Sequence, residues 1–149
     1  MDKSSSETGG QSGLEYLKQR ITDWHGSPMA DTMNMRLIAV AEGSATFEAI
    51  PSSKYYNPQM RLHGGYAATL IDSALGVAVQ TKLPVGIAYG TIELKVNYVR
   101  KMDAEIPRFL CTGTVIHAGR TMFTADARIV DDNGKLYAHG SGTFLVYPT

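Results

Sequence analysis

Fifteen consecutive residues in the middle of the chain, Gly65 to Val79, contain a single charged side chain, Asp72. The run is apolar on every helical face, so it reads as a helix buried on all sides rather than an amphipathic surface helix. At 15 residues it is shorter than the ~20 a bilayer needs, and Asp72 sits at its middle, which excludes a membrane span. A carboxylate inside such a helix costs several kcal/mol unless it is paired, hydrogen-bonded or neutralised. It caps a loop, pairs with an arginine, or serves a site. The rest of the chain must therefore supply a shell for this helix and a use for its one charge.

The remainder can supply the shell. With 149 residues, 44% of them hydrophobic, the chain is the size of one domain with one core. Its 14 basic and 14 acidic residues balance, which argues against nucleic acid or an anionic membrane as the main partner. The single cysteine, Cys111, lies in a strand-like run and reads as a buried apolar residue of a reducing compartment. Residues 1–13 are rich in Ser and Gly with no apolar stretch, so a disordered tail is expected there, followed by one domain over 14–149. A cytoplasmic protein is the expectation.

Leu14, Leu17, Ile21 and Trp24 recur at helical spacing and predict a short amphipathic helix that Gly26-Ser27-Pro28 stops. Strands are expected over Met33–Glu42 and Ser44–Ile50, joined tightly at Glu42-Gly43, then an irregular loop from Ser52 to Leu62. After Gly86 the pattern alternates: Ile92, Leu94, Val96 and Tyr98 point one way, and Thr91, Glu93, Lys95 and Asn97 the other, as in a half-buried strand. Three more strands follow near 108–117, 121–131 and 136–147, with Ala118-Gly119 and Asp132-Asn133-Gly134 as turns. This order predicts an α+β domain in which a curved antiparallel sheet wraps the central helix. Something must also cover the helix's far side, and a second copy of the chain is the economical candidate.

The start of the central helix carries its own chemistry. A first helical turn leaves backbone N–H groups unpaired and carries partial positive charge. Gly64 and Gly65 place no side chain over those groups, so a carbonyl oxygen gaining negative charge could approach them; alternatively, the pair merely permits a tight entry turn. Asp72 lies eight residues beyond Gly64, ~12 Å along a helix. One carbonyl cannot touch both within one chain. If a site uses both groups, Asp72 must meet the helix terminus of another subunit, across a two-fold axis that creates two equivalent sites.

Three segments then carry a resemblance: Asn57-Pro58-Gln59-Met60-Arg61-Leu62-His63-Gly64-Gly65, Leu70-Ile71-Asp72-Ser73-Ala74 and Gly90-Thr91-Ile92-Glu93-Leu94-Lys95-Val96-Asn97-Tyr98. Together they resemble the hotdog-fold acyl-CoA thioesterases, in the subgroup that holds the phenylacetate-pathway and 4-hydroxybenzoyl-CoA enzymes. The resemblance implies the hotdog fold, a homodimer or dimer of dimers, and coenzyme A of the substrate lying along the subunit interface. It implies that the Gly64 N–H polarises the thioester carbonyl and that His63 supports that loop. Asn57 would help place the thioester or the attacking water. Asp72 of the other subunit would be general base or nucleophile, and Thr91 would stand where relatives have a water-positioning hydroxyl. One position departs: the family often has Gly three residues after the Asn, where this chain has Met60.

Other polar residues carry weaker signals. Gly90, Arg100, Lys101 and Arg120 could meet coenzyme A and its phosphates, though cations at strand ends are commonly solvated. Thr91 could equally be a plain strand residue. His25, His117 and His139 lack metal-ligand spacing, so no metal site is expected. Ser73 lacks the Gly-x-Ser-x-Gly pattern of a hydrolase nucleophile. Hydrolysis of an acyl- or aryl-acyl-CoA thioester, without metal or redox cofactor, is the function expected. A dehydratase or hydratase is the first rival, but Val77 holds the place of the histidine it would use. A non-catalytic acyl-CoA binding protein is the second, and it would not need a buried base.

Overall fold

The computed structural model describes residues 10–23 and 26–149, so Trp24, His25 and the first nine residues of the expected tail lie outside the described residues. The elements run α1 (Gly13–Thr22), α2 (Pro28–Thr32), β1 (Met35–Ala41), β2 (Ser44–Ala49), α3 (Gly64–Gln80), β3 (Ile87–Tyr98), β4 (Phe109–Ala118), β5 (Met122–Val130) and β6 (Leu136–Pro148). Helix α1 begins inside the stretch expected to be tail. Ser12 caps it, its hydroxyl accepting from the Glu15 N–H while the Glu15 carboxylate accepts from the Ser12 N–H. Helix α2 was not expected. Ser27 caps it and Pro28 fills its first position, so the residues that stop one helix start the next. Among the described residues no helix is long and apolar enough to cross a membrane.

The six strands form one antiparallel sheet in the order β1-β2-β4-β5-β6-β3. Strands β4, β5 and β6 are the expected meander, and Gly134 takes the positive φ that its turn requires. Helix α3 carries the chain from β2, near one edge, to β3 at the opposite edge. Leu70, Ile71, Ala74 and Leu75 of α3 are fully buried in one core with Phe109, Cys111, Ile129 and Phe144 of the sheet. The helix sits close: a Cβ on Gly113 of β4 would lie 2.4 Å from the Ala74 carbonyl oxygen, so only glycine fits there. This is the α+β hotdog arrangement expected, a long helix seated on an antiparallel sheet.

One expectation needs correction, and another concerns more than one chain. Within a single chain Ala68, Thr69, Asp72 and Ser73 of α3 form a stripe that is only half-buried, the far side for which a second copy was the expected cover. The residues on that stripe are small or polar, and four turns of helix average them away against the buried face. Strand β3 is not half-buried throughout, since residues 91–95 are exposed on both faces. Its alternation also breaks. The pairing with β6 shifts between Thr91 and Glu93, which leaves Ile92 as an extra residue. Such a bulge reverses which residues face the helix. Before it, Thr91 faces α3; after it, Val96 and Tyr98 do.

The close seating of α3 has a consequence at high pH. Burial pushes the Cys111 thiol well above its ordinary 9.0. Burial, and then the neighbouring Tyr55, raises the Tyr66 phenol above 10.0, and burial with the Asp72 charge pushes Tyr89 up to about 12. The folded state thus keeps protons that the unfolded chain releases, and stability falls as pH rises, by about 1.4 kcal/mol per pH unit for each such group. We expect unfolding free energy to hold up to about pH 9, then drop, first through Cys111 and above pH 10 through the tyrosines. Urea titrations from pH 7 to 11 check this, and Cys111→Ala should remove the decline between pH 9 and 10 while leaving the later one.

Candidate active site

Asp72 sits at the middle of the open stripe of α3, and Thr91 of β3 donates its hydroxyl hydrogen to Asp72 Oδ1 at 2.9 Å. The bulge at Ile92 makes this contact possible, because it lets Thr91 share the helix side of the strand with Val96 and Tyr98. One carboxylate oxygen is thereby oriented, and Oδ2 has no hydrogen-bond partner among the described residues. The carboxylate borders a cavity of about 350 Å³ whose lining includes Thr91, Tyr89, Gly76, Phe47 and Leu37. That is the size of a small-molecule site, and its wall mixes apolar Leu17 and Val77 with polar Arg20, Ser73 and Gln80.

The other half of the expected chemistry lies at the helix start. The chain from Asn57 to Arg61 closes on itself: the Asn57 N–H donates to the Arg61 carbonyl at 2.8 Å, and the Asn57 side-chain oxygen accepts from the N–H groups of Gln59 and Arg61. Asn57 thus uses its carbonyl oxygen to hold the loop, leaving its NH₂ group for anything beyond. His63 caps α3, with Nδ1 accepting from the Gly65 N–H at 2.8 Å and its backbone carbonyl accepting from the Tyr66 N–H at 2.9 Å. Since Nδ1 is an acceptor, the neutral ring carries its proton on Nε2, free to donate. Of the N–H groups of residues 64–66, only that of Gly64 has no acceptor among the described residues. Tyr98, which the sequence did not single out, donates its phenol to the Gly64 carbonyl at 2.8 Å and fixes this turn from β3.

These two halves stay apart. Gly64, His63 and Asn57 border a second cavity of about 310 Å³, together with Arg61, Arg100 and Lys101. Neither Asp72 nor Thr91 lines it, and none of the first three lines the cavity at Asp72. Arg61 joins the two expected cations, a place that no spacing or motif marked for it. Arg100 also donates to the Leu136 carbonyl at 2.7 Å, and Lys101 pairs with Asp103 at 3.5 Å. Gly90 and Arg120 lie at the opposite end of the sheet from Arg100, in register with Leu145 and in the β4–β5 turn. A larger hollow, about 730 Å³, lies under the β5–β6 turn, lined by opposed charges such as Arg108, Asp131 and Lys135 and by neither Gly64 nor Asp72. Among the described residues no cluster of His, Cys, Asp and Glu could hold a metal ion.

Comparison with known proteins places this geometry in a family context. The model of the thioesterase superfamily matches residues 61–138. A provisionally named esterase of Halobacterium salinarum is 35% identical over 94 residues, 58% of this chain and 60% of that one. A thioesterase family protein from Silicibacter pomeroyi superposes with a TM-score of 0.79 at 25% identity, covering 89% of this chain and 98% of that one. The E. coli PaaI protein of the phenylacetic acid degradation operon has a TM-score of 0.76 at 21% identity, covering 87% and 91%, and speaks for the fold alone. The chain thus spans less than two thirds of the length of that relative.

Met60, the residue that departs from the family pattern, has φ +58°, so the loop keeps the left-handed turn that glycine would supply. Its side chain is 69% exposed and lines neither cavity. A non-glycine residue in that conformation costs roughly 1–2 kcal/mol, and glycine returns part of this through its freer unfolded chain. Met60→Gly should therefore raise the unfolding free energy by up to about 1 kcal/mol with turnover little changed. A lower urea midpoint would show that the exposed side chain supports the loop.

Proposed function

Since the chain belongs to the thioesterase superfamily, we propose that it hydrolyses an acyl-CoA or aryl-acyl-CoA thioester at a site completed by a second copy of itself. The observation that carries this reading is the split of the chemistry along one helix. The unpaired Gly64 N–H stands at its start and the Thr91-oriented Asp72 carboxylate stands two turns on, each in its own cavity. An antiparallel partner helix would bring Asp72 of one subunit to Gly64 of the other. The half-buried stripe of α3 and the exposed edge strand β3, with Ile92 57% exposed, are surfaces such a partner would cover. A homodimer has two equivalent sites of this kind, and a dimer of dimers four.

In this site the thioester carbonyl accepts from the Gly64 N–H, with His63 Nε2–H as a second donor. Asp72 takes a proton from water while the water oxygen bonds to the carbonyl carbon; the C–S bond then breaks and the CoA thiolate takes that proton. Alternatively Asp72 itself bonds to the carbonyl carbon, expelling the thiolate, and water opens the resulting anhydride. Thr91 holds the carboxylate in either case. Arg61, Arg100 and Lys101 would face the CoA phosphates from the Gly64 side, and Gly90 and Arg120 would come from the Asp72 side. The N–H of an oxyanion hole is worth ~2.7–4 kcal/mol in the transition state, because it meets charge that develops only there.

Release of free thiol from a panel of aryl- and alkyl-CoA thioesters tests the reaction. Asp72→Asn should fold normally and lose turnover by at least 10²-fold, comparable to the loss of an oxyanion donor; near-normal turnover would sink the assignment. Gly64→Val, whose Cβ meets the Tyr98 phenol at 3.0 Å, should also be inactive. Co-expressing the two dead variants tests the shared site. Hybrid dimers would carry one intact pair of groups, so about a quarter of wild-type activity should return. Sites confined to one chain would give no recovery.

A further inference from the structure

The two glycines at the start of α3 are not there for their backbone conformation. Neither Gly64 nor Gly65 takes a positive φ, so other residues could adopt the same turn. What each position lacks is room for a side chain. A Cβ on Gly64 would lie 3.0 Å from Tyr98 Oη and 3.1 Å from its Cζ, and a Cβ on Gly65 would lie 3.0 Å from His63 Nδ1. The pair thus lets two side chains from different elements close on the single peptide group that joins Gly64 to Gly65.

That peptide is gripped at both ends. The Tyr98 phenol donates to its carbonyl oxygen at 2.8 Å, and its N–H donates to His63 Nδ1 at 2.8 Å. With Nδ1 accepting, the neutral imidazole keeps its proton on Nε2. The donors therefore run in one direction: phenol to carbonyl, amide to Nδ1, and last the Nε2–H. Hydrogen bonds in such a series polarise one another, so each donor is stronger than it would be alone. His63, Gly64 and Tyr98 line the same cavity. Tyr98 reaches the peptide from β3 because the bulge at Ile92 turns it to the helix side.

We propose that Tyr98 is a positioning residue for His63. Acting through the Gly64–Gly65 peptide, its phenol fixes the ring with Nε2–H as a strengthened donor to an oxygen that gains negative charge in the cavity. This rests on the thioesterase reading of the same site, in which that oxygen belongs to the thioester carbonyl. A donor strengthened in this way counts most when its acceptor is most negative, so its effect falls on kcat rather than KM. Both glycines are then required, since a side chain at either would crowd one partner away from the peptide.

Tyr98→Phe keeps the ring and removes only the donor. Without any turnover, NMR should show the Gly65 amide exchanging with solvent about fivefold faster than in wild type, the worth of one hydrogen bond. The His63 Nδ1 resonance should move downfield, as that of an acceptor nitrogen does when its donor weakens. With the acyl-CoA that wild type cleaves fastest, kcat should fall about fivefold while KM stays within about twofold. His63→Ser keeps a helix cap but has no ring N–H, and in that background Tyr98→Phe should cost less than about twofold. An undiminished loss in the His63→Ser background would mean that the phenol meets the substrate directly, and it overturns the proposal. An unchanged Gly65 amide or an unchanged His63 Nδ1 in Tyr98→Phe does the same, whatever the kinetics. If wild type cleaves no thioester, the hydrolase reading fails, and the two NMR readouts alone decide whether Tyr98 holds His63.

Discussion

The hydrogen bond from Thr91 to Asp72 is the contact on which the site's arrangement turns. It ties the middle of α3 to β3 at the sheet edge, and it exists because one strand breaks its own rule. A regular strand puts Thr91 on the same side as Glu93 and Lys95, away from the helix. The extra residue at Ile92 reverses that parity, so Thr91 meets Asp72 from one side of the bulge and Tyr98 meets Gly64 from the other. A single irregularity of backbone thus lets one strand serve both ends of the same helix. Bulges recur beside active sites because they re-aim a side chain without moving the strand's hydrogen-bonded frame.

Helix α3 carries both halves of the proposed chemistry for a related reason. Its first turn must leave backbone donors unpaired, and the chain fills two of the nearest three, using the His63 ring and the His63 carbonyl. What remains is the Gly64 N–H, held by Tyr98 through its own carbonyl. The carboxylate sits two turns away on the stripe that the chain itself only half-buries. Rigidity forbids the two from meeting within one chain, since a helix rises a fixed 1.5 Å per residue. The same stripe that leaves Asp72 short of full burial is the surface by which a second helix could complete the pair.

Much of this was legible in the sequence, and the exceptions share a cause. Periodicity located α1 and the alternating strands, because each buries a face and burial imprints a spacing on the residues, while α3 showed as an unbroken apolar run. The Asn-Gly pair located the β5–β6 turn for the same kind of local reason. Helix α2 escaped because five residues leave no periodicity, although Ser27-Pro28 carried its start signal. The bulge escaped because Ile92, Leu94, Val96 and Tyr98 alternate without interruption, and nothing in side-chain type marks an unpaired residue. Among site residues, Asp72, Gly64, His63 and Asn57 were visible as oddities of composition or as a motif. Tyr89, Tyr98 and Arg61 were not, since their roles depend on which element lies opposite, which only the fold decides.

Gly76 shows how such a residue can still leave a trace. In sequence it is one more small residue in an apolar run, and its cost in helix stability has no visible return. In the fold the return is the Tyr89 ring, seated where any β-carbon would collide with it. Gly113 answers the same question differently, admitting the backbone of α3 itself to close contact with β4. Both glycines replace volume with proximity, but one builds the core and the other shapes the cavity beside Asp72. A glycine inside a regular element is therefore a question about its neighbour, and here that neighbour is the ring of Tyr89.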